Sequence, residues 1–331
     1  MHDLKGLSLP IHIMVSENLR RANSCKQFVT HRIPQGLNPS HVFDLGGGLY
    51  VASPELALMR PRAHVQSIAL AQDLFEACGL YARAPKTPAC QLALNKLLES
   101  SHPSVQPAAN SSAALSAYYD FDGSRVAHVD TFGNPLPWTL SKAAQGQPTD
   151  LWKRPPLTTR DDLEAFASTI RGARNSKRVL EALGLVQNGS ASPLETKACI
   201  MLTSSVWQGG EGWRKPFLNR RIALDRNAQA VSHQHYCIGD MVWPDTMGLV
   251  ELLGEAYHTD RMGFKKETGR SAALDYLGYN LVEFTYEQLA NLEIYDTLIG
   301  TYADRLGFRI PDRTPSFLRR RTLLHNELFG R

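Results

Sequence analysis

HYCIGDMVWPDTMGLVELLGEAYH, residues 235–258, is the stretch whose reading decides the fold. It predicts two short adjacent strands joined by a turn, with Asp240 and Glu251 at their ends. Two carboxylates held on neighbouring strands are a way to set a divalent metal beside a phosphate. Glu251 interrupts the apolar run Leu249–Leu253, and a buried acid needs a partner. Side chains alternate along a strand, so Glu251, Leu253 and Glu255 share one face. Leucine can neither ligate a metal nor polarise water. Glu255 lies beyond it, roughly 7 Å along the strand, and replaces it only if the strand bends there.

Just upstream, NGSASPLETKACIMLTSS (188–205) carries a helix start. Ser192 suits the N-cap, Pro193 the first helical position and Glu195 the third, which is the pattern of a capping box. Glu195 therefore has two readings, a capping group or a third oxygen ligand. Between this helix and the strands lie Arg214, Lys215, Arg220, Arg221 and Arg226; a second basic group, Arg305, Arg309, Arg313 and Arg319 to Arg321, lies near the C-terminus. Each run alone reads as a solvated face. His233, His235 and Cys237 would share one face of a strand at 230–239. Their atoms suit zinc, but i, i+2, i+4 spacing on a straight strand spreads them too widely around one ion. They read as lining the face that leads to Asp240.

Further out, two short helices are expected in 161–183, strands near 220–225, 230–239 and 247–253, a helix over 264–277, a strand over 279–287 and a last helix over 288–306. This order implies an α/β core with a mixed sheet. SKAAQGQPTDLWKRPPLTT (141–159) is polar and rich in Gly and Pro, which suits a linker. It divides the chain into an N-terminal α+β domain, 1–157, and a second domain, 158–331. In the first, HVFDLGGGLYVASPE (41–55) reads as strand, turn and strand, and 54–79 as helical, broken at Pro61. Gly46 to Gly48 read as a hairpin turn, because they lack phosphate-loop spacing.

Composition bounds the rest. The 331 residues are 43% hydrophobic and 21% charged, which predicts packed domains rather than disorder. A net charge of +4 does not by itself mark a nucleic-acid binder. Cys25, Cys78, Cys90, Cys199 and Cys237 are odd in number and scattered, so reduced thiols and a cytoplasmic location are expected. No apolar run is long enough for a membrane span, the start of the chain lacks a secretory signal core, and no GxSxG hydrolase signature occurs.

SASPLE (190–195), LN (218–219), Asp240, VELLGEAYH (250–258), Arg270, Leu274 and LGYNLVEFTYEQL (277–289) follow one another in an order and spacing that resembles the PD-(D/E)xK restriction-endonuclease-like superfamily. The nearest likeness is to its very-short-patch-repair-like endonuclease branch, over about residues 161–306. The resemblance implies a restriction-endonuclease-like mixed sheet flanked by helices. It implies Mg2+ or Mn2+ held by Asp240 and Glu251 with Glu195 assisting, His258 handling protons, and Arg214, Lys215, Arg220 and Arg270 contacting phosphates. Leu253 departs from the pattern, which has Asp there in the branch and Lys in the wider superfamily. The N-terminal words HVFDLGGGLYVASPELAL (41–58) and ACGLYA (77–82) faintly resemble abortive-infection antitoxin-type proteins, which implies a protein partner for that half. The expected function is a metal-dependent DNA endonuclease in defence or repair. The alternative is a catalytically impaired nucleic-acid-binding or regulatory protein on the same fold.

Overall fold

The computed structural model describes residues 10–15, 27–33, 37–44, 46, 48, 50–59, 67–83, 117–119, 125–127, 139–142, 148–169, 176–253 and 261–330. The N-terminal part is built from small sheets. Strands β1 (Ile11–Val15) and β2 (Phe28–Arg32) pair in parallel. Strands β3 (Val42–Asp44) and β4 (Tyr50–Ala52) form the expected antiparallel hairpin across the glycines. Helix α1 (Pro54–Leu58) starts on Ser53, whose hydroxyl accepts from Leu56 N, and α2 (Ser67–Cys78) follows the predicted break. Strand β5 (Tyr81–Arg83) comes next, then the pair β6 (Ala117–Tyr119) and β7 (Arg125–Ala127), then β8 (Thr139–Lys142) and β9 (Pro148–Lys153).

The segment expected to be a linker is partly structural. β9 lies between β5 and β8 in one antiparallel sheet. Arg154 behind it is buried, donating to the carbonyls of Pro155 and Glu76 at 2.8 Å each. Two short helices follow as predicted, α3 (Arg160–Thr169) and α4 (Ser176–Leu185). Leu74, Phe75 and Cys78 of α2 belong to the same hydrophobic cluster as Leu163, Val179, Ile200 and Met201. The core thus runs through the boundary placed near residue 157. The reason is α2, whose apolar stripe packs on the helices downstream.

The remaining elements are α5 (Pro193–Thr203), β10 (Phe217–Ala223), α6 (Arg226–Ser232), β11 (Tyr236–Trp243), β12 (Gly248–Leu253), α7 (Arg261–Tyr276), β13 (Asn280–Thr285), α8 (Tyr286–Ala290), α9 (Leu292–Leu306) and α10 (Pro315–Phe329). The strands form one sheet in the order β10-β11-β12-β13. β12 and β13 are parallel and the other pairs antiparallel, so the predicted mixed α/β sheet is present. Two readings are corrected. The strand expected from residue 230 begins only at Tyr236; residues 226–232 form a helix, started by Asp225, whose carboxylate accepts from Ala228 N, and ended by His233 at φ +56°. A further helix, α10, begins at Thr314-Pro315 and covers Glu211 through Arg321.

The sheet separates two hydrophobic clusters. Leu218, Met241, Val250, Leu252 and Phe284 join α5 in the larger one. Ile222, Cys237, Val242, Leu249 and, from α7, Ala273 and Leu274 form the smaller one. Positions four apart on a regular strand share a face. Yet Leu218 and Ile222 lie in different clusters, as do their partners Met241 and Cys237. Both strands therefore switch faces between those pairs. On β10 the switch falls beside Asn219, whose φ of +49° is rare for a residue with a side chain. On β11 it falls at Gly239-Asp240. A Cβ on Gly239 would stand 2.5 Å from a Leu249 methyl, so a larger residue there would have to displace that side chain.

Candidate functional site

The face switch is where the predicted acids meet. β11 and β12 pair from Trp243↔Gly248 to Met241↔Val250, and no ladder pair follows. Beyond it the strands part, and side chains bridge the opening. Asp240 Oδ2 accepts from Leu252 N at 2.8 Å, standing in for a strand carbonyl. Arg270 of α7 donates to Ile238 O at 2.6 Å and to Glu251 Oε1 at 2.5 Å. This ion pair is well covered, with 14% of the Arg270 side chain and 7% of the Glu251 side chain exposed. Arg270 is one helical turn before Leu274, so both point from α7 toward the sheet.

Glu195 approaches from the start of α5. Ser192 caps that helix by accepting from Glu195 N at 3.1 Å. The other half of the expected capping box is shifted by one residue: Glu195 Oε2 accepts from Ala191 N at 2.7 Å rather than from the N-cap amide. The same oxygen accepts from Asn219 Nδ2 at 2.5 Å, and Asn219 also donates to Gly189 O at 2.9 Å. Burial, and then the negative charge of nearby Asp240, push the Glu195 carboxyl up to about 8. It is thus a largely protonated acid at neutral pH; of its two readings the capping one is present, shifted by one residue, and it feels the charge of Asp240.

The three acids are close but not gathered around one point. Glu195 comes with α5 from the larger-cluster side. Glu251 lies between Val250 and Leu252, which face that cluster, so by alternation it faces α7 instead. Among the described residues no group of three or more His, Cys, Asp or Glu is placed to hold a metal ion. Mg2+ needs a near-octahedral oxygen set. Here Glu251 accepts from a guanidinium, Asp240 from a backbone amide, and Glu195 from Ala191 and Asn219. The donor set does not fit that ion. Leu253 is part-buried at the end of β12. His258 and Glu255 lie outside the described residues. His233, His235 and Cys237 do not line one strand face: His233 caps α6, His235 is exposed with its ring 3.2 Å from Gln229 Oε1, and Cys237 is buried.

Two of the four residues expected to contact phosphate serve the protein itself. Lys215 donates to Val186 O at 3.2 Å, and burial lowers the affinity of its ammonium for the proton. Arg270 holds Glu251. Arg214 pairs with Asp245 but remains half exposed. Arg220 lies over the Phe217 ring at 4.3 Å. Its neighbour Arg221 lies over Tyr236 at 4.1 Å, and Phe217, Tyr236 and Ile238 are each at least 40% exposed. Side chains alternate along β10, so the two pairs lie on opposite faces of the sheet, Arg221 with Tyr236 and Ile238 on the face away from Ile222 and Cys237. Tyr236 was not singled out by sequence. Its signal was the alternation of YCIG against RRIA, readable only once the register is known.

No described helix is long and apolar enough to cross a membrane. Comparison with family models, curated proteins and solved structures found no match to this chain.

Proposed function

We propose that the protein binds DNA on a restriction-endonuclease-like scaffold without hydrolysing it. The observation that carries this reading is the exposed patch at the outer end of β10 and β11, where Arg221 lies over Tyr236 beside Ile238. A guanidinium meets phosphate and a part-exposed ring stacks on a base, a pairing suited to a single strand or an opened duplex. Non-hydrolysis rests on Leu253, which cannot polarise water, and on acids that form no metal-holding group among the described residues.

The test is anisotropy with a labelled single-stranded oligonucleotide, alongside plasmid cleavage in Mg2+ and in Mn2+. Binding should weaken by about sevenfold or more between 50 and 200 mM salt, as expected for about two or more phosphate contacts on a single strand. Tyr236→Ala should weaken it by about 1–3 kcal/mol, the usual loss for a stacked base. Arg221→Ala should lower the salt slope by about one ion. No binding to any nucleic acid defeats the proposal. Metal-dependent cutting that Asp240→Asn and Glu251→Ala abolish would establish the endonuclease reading instead. That reading is favoured by the adjoining positions of Asp240 and Glu251 and by the charge of Asp240 felt at Glu195.

A further inference from the structure

We propose that the cavity lined by the β3–β4 hairpin, α1 and α3 binds an organic cation, an ammonium group carried on an aromatic or other apolar body. The cavity measures about 440 Å³, within the range of small-molecule sites. Its wall is drawn from both sides of the boundary expected near residue 157. Phe43 of β3 and Glu55 of α1 line it together with Thr158 and, from α3, Asp162 and Phe166. The wall is anchored in the core. α1 and α3 pack on each other, and Leu56 and Leu163 beside these residues belong to the larger hydrophobic cluster. Phe166 is itself buried and meets the His41 ring edge-on at 4.8 Å.

The class of ligand follows from charge. Among the described lining residues there is no lysine or arginine, and Glu55 and Asp162 are both carboxylates. His41 adds at most one positive charge, so this wall is net negative in either state of its ring. Glu55 is the more covered acid, with 12% of its side chain exposed. Thr158 Oγ1 donates to its Oε1 and so orients the carboxylate. The other oxygen, Oε2, lies 3.9 Å from His41 Nδ1, beyond hydrogen-bond length, and that nitrogen is closer to Ser53 Oγ, at 3.2 Å. Among the described residues nothing donates to Oε2, so it can accept from a ligand ammonium. Asp162 is exposed and is fixed by Thr159, whose hydroxyl donates to Oδ2 at 2.7 Å and accepts from the Asp162 amide at 3.1 Å. It adds a second, outer attraction. The Phe43 and Phe166 rings suit an apolar body, and a ring face also attracts a cation. An anion would meet two carboxylates and no basic partner here, which sets this cavity apart from the arginines of β10.

The cavity shares no residue with the patch of Arg221 and Tyr236, so this inference and the DNA-binding reading can each fail alone. The probes are tryptamine, tryptophol and indole-3-acetate, which carry one ring system on a cationic, a neutral and an anionic arm. Each is titrated into the full chain at neutral pH by isothermal titration calorimetry. Tryptamine should bind at one per chain and at least about tenfold more tightly than tryptophol, and indole-3-acetate should not bind. Glu55→Gln keeps an acceptor for Thr158 and should weaken tryptamine by about tenfold while leaving tryptophol unchanged. Asp162→Asn changes an exposed side chain and should weaken tryptamine by about two- to fivefold, as for an exposed ion pair. It carries the test if Glu55→Gln does not fold by circular dichroism. Tryptophol or indole-3-acetate binding as tightly as tryptamine overturns the proposal. So does the absence of tryptamine binding up to about 10 mM, or an affinity unchanged in the folded variants.

Discussion

Glu195 is a carboxyl whose folded environment favours the neutral form, the reverse of a salt-bridged acid. Its value is raised from 4.5 to about 8, first by burial and then by Asp240. The stabilisation it gives is full below the unfolded value and is lost as pH rises through about 8. Glu195→Gln keeps an acceptor for Ala191 N and Asn219 Nδ2 but has no proton to lose. Its melting temperature relative to wild type should rise from pH 5 to about pH 8 and level off above that. A gap that is constant with pH would remove the assigned burial effect. At this scale the sequence was partly legible. Ser192, Pro193 and Glu195 announced the helix start, and Glu251 announced a buried acid in need of a partner. The identity of that partner was not legible, because Arg270 is 19 residues away and meets Glu251 only through the approach of α7.

Strand existence was easier to read than strand geometry. The order helix, strand, strand, strand, helix, strand, helix emerges from apolar spacing, but α6 was hidden, since its residues, RNAQAVS, are short and weakly periodic. The face switch in β10 and β11 was hidden for a different reason. Period-two reading assumes a straight strand, and no residue type announces a bend except Gly239. Asn219 tests this directly. Asn219→Gly removes the bonds to Glu195 and to Gly189 O and should cost about 1–3 kcal/mol in urea unfolding. Asn219→Ala loses the same bonds and adds the penalty of a left-handed backbone, about 1 kcal/mol more. Alanine equal to or better than glycine would mean that the positive φ is not needed.

Across the whole molecule, one buried ion cluster ties the C-terminal helix to the sheet domain. Arg321 is fully buried. It bonds Glu211, which also accepts from Tyr295 Oη at 3.2 Å, and it reaches Asp296 at 2.6 Å. Removing one partner of such a pair strands the other charge, so Arg321→Met should cost about 3–5 kcal/mol. Arg321→Met together with Glu211→Gln should recover much of that loss. A double variant as unstable as the sum of the singles would refute the pairing. The position of α10 was not foreseen, since its basic run suggested a solvated face rather than an anchor. Nor was the continuity of the core past residue 157, which depends on what α2 packs against and not on any local pattern. One further property belongs to β10, the outermost strand of the four-stranded sheet. An uncovered edge is a template on which a second copy can add its own strand, the first step toward precipitation. Arg220 and Arg221 bring positive charge to that edge, and two approaching copies would repel there. The two side chains offered to phosphate would also oppose such edge-to-edge pairing.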